Sequence, residues 1–228
     1  MHTANRPLRL GGRTRIMGVL NVTPDSFSDG GRYGDPTAAV AQARRLAADG
    51  GDLIDVGGES TRPGSDPVPP DEQVHRVVPV IRGIRDAGIE LPISIDTQSA
   101  EVAAAALDAG ADLVNDISAL RGDPAMAGLC AQRGAAVVLM HMQGSPDTMQ
   151  EQPTYDDVVH EVRDFLMERV AFAERMGIPR DRIIIDPGIG FGKSVAHNLQ
   201  LLRRVSVFVD TKLPVLIGAS RKSFLGAV

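Results

Sequence analysis

The sequence of 228 residues is poor in cysteine and aromatic residues: it contains one cysteine, Cys130, no tryptophan and two tyrosines. A single cysteine excludes an internal disulfide and any zinc or iron–sulfur site made from a cysteine cluster, and it fits a reducing cytoplasm. The sequence also has no run of about 18 apolar residues, the length that a membrane-spanning helix needs. Its basic N-terminus lacks the apolar segment of a signal peptide. We therefore predict a cytoplasmic protein without a membrane span.

Charge and composition exclude a second group of functions. The net charge is −5, the isoelectric point is about 5.5, and the basic residues are scattered, whereas a nucleic-acid-binding protein concentrates them on one face. We therefore expect no nucleic acid partner. Apolar residues make up 43% and charged residues 23% of the sequence, as in ordinary globular proteins. No linker, charge block or low-complexity tract divides the chain, so residues 1–228 are predicted to form a single domain.

Short apolar segments alternate with longer helix-forming segments along the whole chain. Near-continuous apolar strands separated by helices predict a parallel sheet with both faces covered, hence an α/β fold. Several of the helical segments end at a glycine, the residue expected beyond a helix C-terminus. The predicted strands number seven and cover residues 15–21, 52–58, 92–97, 112–118, 135–141, 182–188 and 214–220.

Each predicted strand ends in polar residues that apolar packing does not explain. The carboxyl ends of parallel strands meet at one mouth in a (β/α)8 barrel, where such enzymes carry their sites. A doubly wound sheet spreads polar residues more widely and uses mainly its switch point. The pattern therefore favours the (β/α)8 TIM barrel. The polar residues are Asn21, Glu59, Asp96, Asn115, Asp116, His141, Asp186 and the run Ser220, Arg221 and Lys222.

The strand count is one short of a complete barrel, which has eight strands and about 250 residues. Seven strands are predicted, and the printed sequence stops just after the seventh, at SRKSFLGAV. An unclosed barrel would leave two strand edges unpaired, which natural proteins avoid. We therefore expect a barrel whose last βα unit is missing from this sequence.

The stretch DPGIGFGKS, residues 186–194, resembles a phosphate-binding loop but misses the pattern. That loop has four residues between its two glycines, whereas Gly188 and Gly192 enclose three. Asp186, which follows three isoleucines, is the stronger candidate for ligand binding, because a buried carboxylate needs a partner. It can bind two adjacent N–H donors, such as those of an aminopyrimidine, although a turn or N-cap aspartate is the simpler alternative. Lys193 is expected to be solvated.

Three further segments are candidates for ligand binding. Residues 22–36 and 57–70 form long polar loops after predicted strands, and loops of that length are usually functional or disordered. The second loop contains Thr61 and Arg62, and Arg62 is a candidate anion clamp. In GASRKSFLG, Arg221 and Lys222 stand at a predicted helix start, where anions are favoured. The alternatives are a solvated connection for the loops and ordinary helix-start residues for the last segment.

These segments together resemble the dihydropteroate synthases, a family of the folate pathway. Family members are (β/α)8 barrels that join 6-hydroxymethyl-7,8-dihydropterin pyrophosphate to p-aminobenzoate and release pyrophosphate. The resemblance implies this activity, Mg²⁺ as a cofactor, a homodimer and competition by sulfonamides. It rests on motifs that cover nearly the whole chain in family order: MGVLNVTPDSFSDGG, DVGGESTRPGS, SIDT, NDIS, MHMQGSPDTMQ, DPGIGFGKS with HNLQLL, and GASRKSFLG.

The resemblance also implies roles for individual residues. Asp96, Asn115 and Asp186 would read the pterin ring, and Asn21 would help to hold Mg²⁺ on the pyrophosphate. Arg62, Asp96 and Lys222 are the predicted catalytic residues. The family's last strand carries an Arg-x-His motif for the pyrophosphate, and this motif is absent here. The other predicted substrate contacts are Thr61, Ile117, Met140, Phe191, Ser220 and Arg221, with the proline after Arg62 beside the aminobenzoate.

Two other functions stay open at this point. A pterin-dependent methyltransferase shares the Asp, Asn and Asp-Pro-Gly features, but it should lack the two long loops and the Ser-Arg-Lys-Ser turn. A non-catalytic pterin-binding paralogue should have substitutions at Asn21, Arg62 or Lys222, and all three match the synthase pattern. The motifs contain no Ser–His or Cys–His nucleophile, which fits C–O cleavage to a pterin cation followed by attack of the amine.

Overall fold

The computed structural model describes residues 1, 3–22, 36–60, 66–144, 149 and 153–227. Among these residues, six strands form one parallel sheet in the order of the sequence. A doubly wound sheet reverses its strand order at a switch point, whereas here every crossover moves one position in the same direction, as in a (β/α)8 barrel. The strands are β1 (Met17–Asn21), β2 (Leu53–Gly57), β3 (Ile93–Asp96), β4 (Leu113–Asp116), β5 (Ala136–Met140) and β6 (Ile183–Asp186).

The seventh predicted strand, residues 214–220, is reduced to one parallel bridge between Ile185 and Val215. Ile185 N donates to Pro214 O at 3.0 Å, and Leu216 N donates to Ile185 O at 2.9 Å. The next bond of a parallel ladder would need the N–H of residue 187. That residue is Pro187, which has no backbone N–H, so the ladder stops there. The bridge nevertheless places residues 214–216 next to β6, in chain order.

Helices follow the strands, and local sequence explains where several of them begin and end. Ser99 caps α3 by accepting a hydrogen bond from Val102 N, and Gly110 ends it in the left-handed conformation, at φ 112°. Ser194 and His197 form a capping box at the start of α6. The helices are α1 (Pro36–Ala48), α2 (Pro70–Asp86), α3 (Ala100–Ala109), α4 (Met126–Arg133), α5 (Val158–Arg175), α6 (Val195–Arg203) and α7 (Ser206–Val209). None of the helices in the described ranges is long and apolar enough to cross a membrane.

The two faces of the sheet are packed differently. The main apolar core lies between the sheet and the helices. Alternate strand residues point to the other face, where Leu113, Ala136, Val138 and Ile184 form a small apolar cluster of their own. In a (β/α)8 barrel this face of the sheet forms the inner layer. Polar residues continue from it towards the carboxyl ends of the strands, and these residues build the site.

Candidate functional site

The predicted pterin readers stand at the carboxyl ends of neighbouring strands. Asp96 is the last residue of β3, and it pairs in register with Gly57 of β2 and Asn115 of β4. Asp186 ends β6 and pairs with Met140 of β5. The structure therefore brings Asp96, Asn115 and Asp186 to one end of the sheet, where the sequence predicts them.

Asp186 is a buried carboxyl group, with 6% of its surface exposed. Burial raises the pKa of Asp186 to about 6, against the opposing effects of a backbone hydrogen bond and the cations Lys193 and Lys222. The backbone bond runs from Gly188 N to Asp186 Oδ1 at 2.7 Å. Since a buried carboxylate is costly without donors, the group is suited to a ligand that supplies N–H groups.

A pair of carboxyl groups, Asp96 and Asp55, lies near Asp186. Burial raises the pKa of Asp96 well above its usual range, and Asp55 is the largest of the nearby charges that raise it further, while Lys222 lowers it. Burial also raises the pKa of Asp55, with Ser94 and Asn115 opposing. Like charges placed this close disfavour simultaneous ionisation. Asp55 is not among the residues predicted from the sequence, although a charged residue inside an apolar strand is a signal for it.

Lys222 links the carboxyl groups to an aromatic ring. Its Nζ lies 3.9 Å from the centroid of the Phe191 ring, within cation–π range. Burial lowers the pKa of Lys222, while Asp186 and Asp96 raise it. The residues predicted to pack on the substrate also meet here, because Phe191 packs against an apolar cluster formed by Ile117, Met140, Met142 and Met149.

The glycines of DPGIGFGKS allow close packing between two backbone segments. A Cβ on Gly188 would lie 1.9 Å from His141 O, and one on Gly192 would lie 2.5 Å from Gln143 O. Both glycines also have positive φ, 68° and 62°, a region that favours glycine. The turn after β6 therefore lies directly on the residues that follow β5, and this contact fixes the position of Phe191.

The prediction that Lys193 is solvated is wrong, because it is 3% exposed. Its Nζ donates to Phe191 O at 2.8 Å and to His141 O at 3.3 Å, and it lies 3.0 Å from His141 Nδ1. Three acceptors for three N–H groups explain how the ammonium group is buried. The His141 ring packs edge-on against Phe165, with ring centroids 4.9 Å apart. No local sequence signal predicts the contact between Lys193 and His141, which are 52 residues apart.

Two more side chains that the sequence analysis missed hold the same turn. Asn198 Oδ1 accepts a hydrogen bond from Gly190 N at 2.8 Å, and the Tyr155 hydroxyl donates to Gly192 O at 2.8 Å. Asn198 belongs to the motif HNLQLL, which contributes to the family resemblance, but the resemblance assigns no role to this asparagine. Tyr155, just before α5, and Asn198 in α6 therefore support the loop that carries Phe191.

Of the remaining predicted site residues, the structure describes Asn21, Ser220 and Arg221. Asn21 ends β1 with an exposed side chain, and a Cβ on Gly57 would lie 3.6 Å from Asn21 Oδ1 and 3.7 Å from Asp96 Oδ2. Asn21 therefore borders the same mouth. Ser220 and Arg221 are exposed and directly precede Lys222. Thr61 and Arg62, with the proline that follows them, lie outside the described residues.

Comparison with known protein sequences places the chain among pterin enzymes. The family described as pterin binding enzyme matches residues 17–228. A Synechocystis dihydropteroate synthase is 45% identical over 218 residues, which cover 96% of this chain and 75% of that protein. A probable bifunctional folylpolyglutamate synthase/dihydropteroate synthase of Haloferax volcanii is 52% identical over 215 residues, 94% of this chain but 25% of that longer protein. The chain thus spans a quarter of the bifunctional relative and three quarters of the other.

The comparison with solved structures points to the same family as the comparison of sequences. The dihydropteroate synthase of Xanthomonas albilineans, solved with 4-aminobenzoic acid, superposes with a TM-score of 0.87 at 50% identity, over 95% of this chain and 76% of that one. The chain belongs to the pterin binding enzyme family and, within it, to the dihydropteroate synthases.

Proposed function

We propose that this protein joins 6-hydroxymethyl-7,8-dihydropterin pyrophosphate to p-aminobenzoate, forming dihydropteroate and pyrophosphate. The observation that carries the proposal is the meeting of Asp96, Asp186 and Lys222 at one end of the sheet, where each affects the pKa of another. A site that combines buried carboxyl groups, a cation and an apolar wall suits a flat heterocycle with several N–H groups. The pterin ring is such a heterocycle.

Recognition of the pterin would rest on complementary hydrogen bonds. Asp186 would accept from the ring N–H and the exocyclic amine of the aminopyrimidine edge, a two-point charge-assisted contact. Asp96 and Asn115 would read the remaining polar atoms, and Ile117 and Met140 would pack on the ring. An analogue that lacks the matching donors would leave a buried carboxyl group unpaired, which is strongly disfavoured.

The p-aminobenzoate would bind beside Phe191 and Lys222. The ring of Phe191 offers an apolar surface, with Lys222 Nζ over it, while the backbone carbonyl of Phe191 accepts a hydrogen bond from Lys193. Ser220 and Arg221, exposed next to Lys222, would border this second pocket. Sulfonamides, which are arylamines of similar shape, would compete for it.

The reaction needs no protein nucleophile. The C–O bond between the pterin methylene group and pyrophosphate breaks, and its electron pair leaves with the pyrophosphate. The amine nitrogen of p-aminobenzoate then bonds to the methylene carbon of the pterin cation and releases a proton. The protein would contribute orientation of the two substrates and electrostatic stabilisation. Arg62, Asp96 and Lys222 are the residues to which we assign these roles.

Magnesium is part of the proposal. Among the described residues there is no group of three or more His, Cys, Asp or Glu side chains that could hold a metal ion. A Mg²⁺ ion, however, commonly keeps several waters and binds through substrate phosphates and one or two protein oxygens. Asn21 Oδ1, at the rim beside Asp96, fits that smaller demand. When bound, Mg²⁺ would neutralise charge on the departing pyrophosphate.

The proposal also covers the oligomeric state of the protein and its location in the cell. We expect a cytoplasmic homodimer, an expectation that the family resemblance supports. Sedimentation of the purified protein would decide the oligomeric state, since a dimer has twice the chain mass of 24.2 kDa. A sulfonamide should raise the apparent KM for p-aminobenzoate and leave the limiting rate unchanged.

The decisive experiment measures pyrophosphate release by the purified protein. Release should require both substrates and Mg²⁺. Binding of the pterin without release would favour a non-catalytic paralogue, and transfer of a methyl group without pyrophosphate would favour a methyltransferase. Asn21→Ala should raise the Mg²⁺ concentration needed for half-maximal release.

A further inference from the structure

Asp55 lies one layer deeper in the barrel than the predicted readers. In β2 it precedes Gly57 by two residues, and Gly57 is paired with Asp96, which in turn is paired with Asn115. Asp55 and Gly57 therefore point to the same face of the sheet. Asp55 is 5% exposed, and none of the substrate contacts proposed above involves it.

The contact between Asp55 and Asn115 fixes how the asparagine faces the mouth. Asn115 Nδ2 donates to Asp55 Oδ2 at 3.1 Å. A carboxylate oxygen only accepts, so it selects the amide orientation in which Nδ2 points inward. The amide oxygen of Asn115, on the other branch of the same planar group, is then left as an acceptor towards the carboxyl end of the strands.

The other oxygen of Asp55 leaves room for a proton without changing this arrangement. Asp55 Oδ1 makes no hydrogen bond with any residue in the described part of the chain. Ser94 is opposite Asp55 in register, and its side chain opposes the rise in the pKa of Asp55. A proton on Asp55 can therefore be held on Oδ1 while Oδ2 still accepts from Asn115.

We propose that Asp55 is a positioning residue that sets ligand specificity by holding the Asn115 side-chain oxygen as an acceptor for the exocyclic amine of the pterin. This inference rests on the proposed function. An exocyclic amine has two N–H groups, and Asp186 can take only one of them together with the adjacent ring N–H. Asn115 Oδ1 takes the second. A ligand with an oxygen in place of the amine meets two acceptors and is rejected.

The test compares two ligands that differ at that position only, 6-hydroxymethylpterin with its amine and 6-hydroxymethyllumazine with an oxygen. Calorimetry gives the ratio of their dissociation constants. In Asp55→Asn the new side-chain amide can donate to Asn115 Oδ1, so Asn115 can flip and the preference for the pterin should fall about tenfold, roughly 1.4 kcal/mol. Asp112→Asn is the matched control: it alters a buried carboxyl group at the opposite end of the sheet, bound by Arg85 and Ile93 N, and should keep the ratio.

Asn115→Ala gives an independent readout, because a residue that acts through Asn115 has no effect once Asn115 is removed. The double variant should show the same ratio as Asn115→Ala alone. If Asp55→Asn does not fold, Asp55→Ser replaces it with the same expectation. The inference would be overturned by a folded Asp55 variant that keeps the full preference for the pterin. It would also be overturned if the effects of the Asp55 and Asn115 substitutions on this preference were additive in the double variant. Either result would leave the proposed function intact. Failure of the unsubstituted protein to bind the pterin would instead overturn the proposed function, and the inference with it.

Discussion

Lys193 Nζ lies 3.0 Å from His141 Nδ1, so two side chains that are both cationic in acid are buried against each other. Burial lowers the pKa of His141 to about 3, and the charge of Lys193 lowers it too. The imidazole is therefore neutral at physiological pH and can accept from the lysine. Through this contact the end of β5 is joined to the turn that carries Phe191.

The buried lysine predicts how stability depends on pH. Burial lowers the pKa of Lys193 to about 7 from an ordinary value of 10.5. Between these pH values the unfolded chain binds more protons than the folded protein, so the free energy of unfolding gains from this residue as pH rises, by at most about 1.4 kcal/mol per pH unit. Lys193→Met should remove this gain, as measured by urea unfolding from pH 7 to 9.5. Lys212→Met, at an exposed lysine, should leave it unchanged; an identical slope in both variants would contradict the prediction.

Pterin binding should depend on pH through Asp186. Its pKa is raised to about 6, and only the ionised form accepts two N–H donors. The affinity for 6-hydroxymethylpterin should therefore fall about tenfold for each pH unit below 6 and level off above 7. Titration calorimetry between pH 5 and 8 tests this. Asp186→Asn should bind weakly at every pH; a flat profile for the unsubstituted protein would show that Asp186 does not titrate in the free site.

Gly188 is predicted to tolerate no side chain. In Gly188→Ala the Cβ would collide with His141 O at a positive φ, and strain with overpacking should cost about 3 kcal/mol or more of stability. Gly128 is the control, because it lies inside α4 with no atom within 4 Å of a built Cβ. Gly128→Ala should stabilise the protein by about 0.5–1 kcal/mol. Thermal unfolding distinguishes the two, and equal effects would argue against the close backbone contact.

Phe191 is expected to act through its ring. Phe191→Leu removes the aromatic ring that Lys222 Nζ contacts. Losing a cation–π contact costs about 0.5–2 kcal/mol of interaction energy. The affinity for p-aminobenzoate should fall by up to roughly thirtyfold, with the affinity for the pterin much less affected. Phe191→Tyr keeps the ring and should retain most of the affinity. Loss of pterin affinity of the same size would place Phe191 in the other pocket.

Much of the fold follows from local sequence. Six of the seven predicted strands form within one or two residues of their predicted ends, because a buried parallel strand bounded by polar residues is readable from hydropathy alone. The seventh shrinks to a bridge since Pro187, on the neighbouring strand's extension, lacks an N–H. That restriction comes from the partner segment, so the apolar pattern of residues 214–220 does not contain it.

The site was predictable where residues end strands and unpredictable where partners come from distant elements. Asp96, Asn115 and Asp186 mark the mouth by position alone. The burial of Lys193 depends on acceptors contributed by His141, 52 residues away in sequence, and hydropathy treats a lysine as a surface residue. The role of Asp55 requires the register between β2, β3 and β4, which a single sequence does not give.

The register that pairs Asp96 with Asn115 and Met140 with Asp186 restricts where residues can be inserted or deleted in this protein. Strand side chains alternate between faces, so deleting one residue inside β3 would turn Asp96 away from the mouth without changing any ligand-contacting residue type. Length changes are therefore compatible with ligand recognition only in the segments beyond the strand ends. A library of single-residue deletions should show pterin binding lost in blocks that coincide with the strands, and tolerated between them.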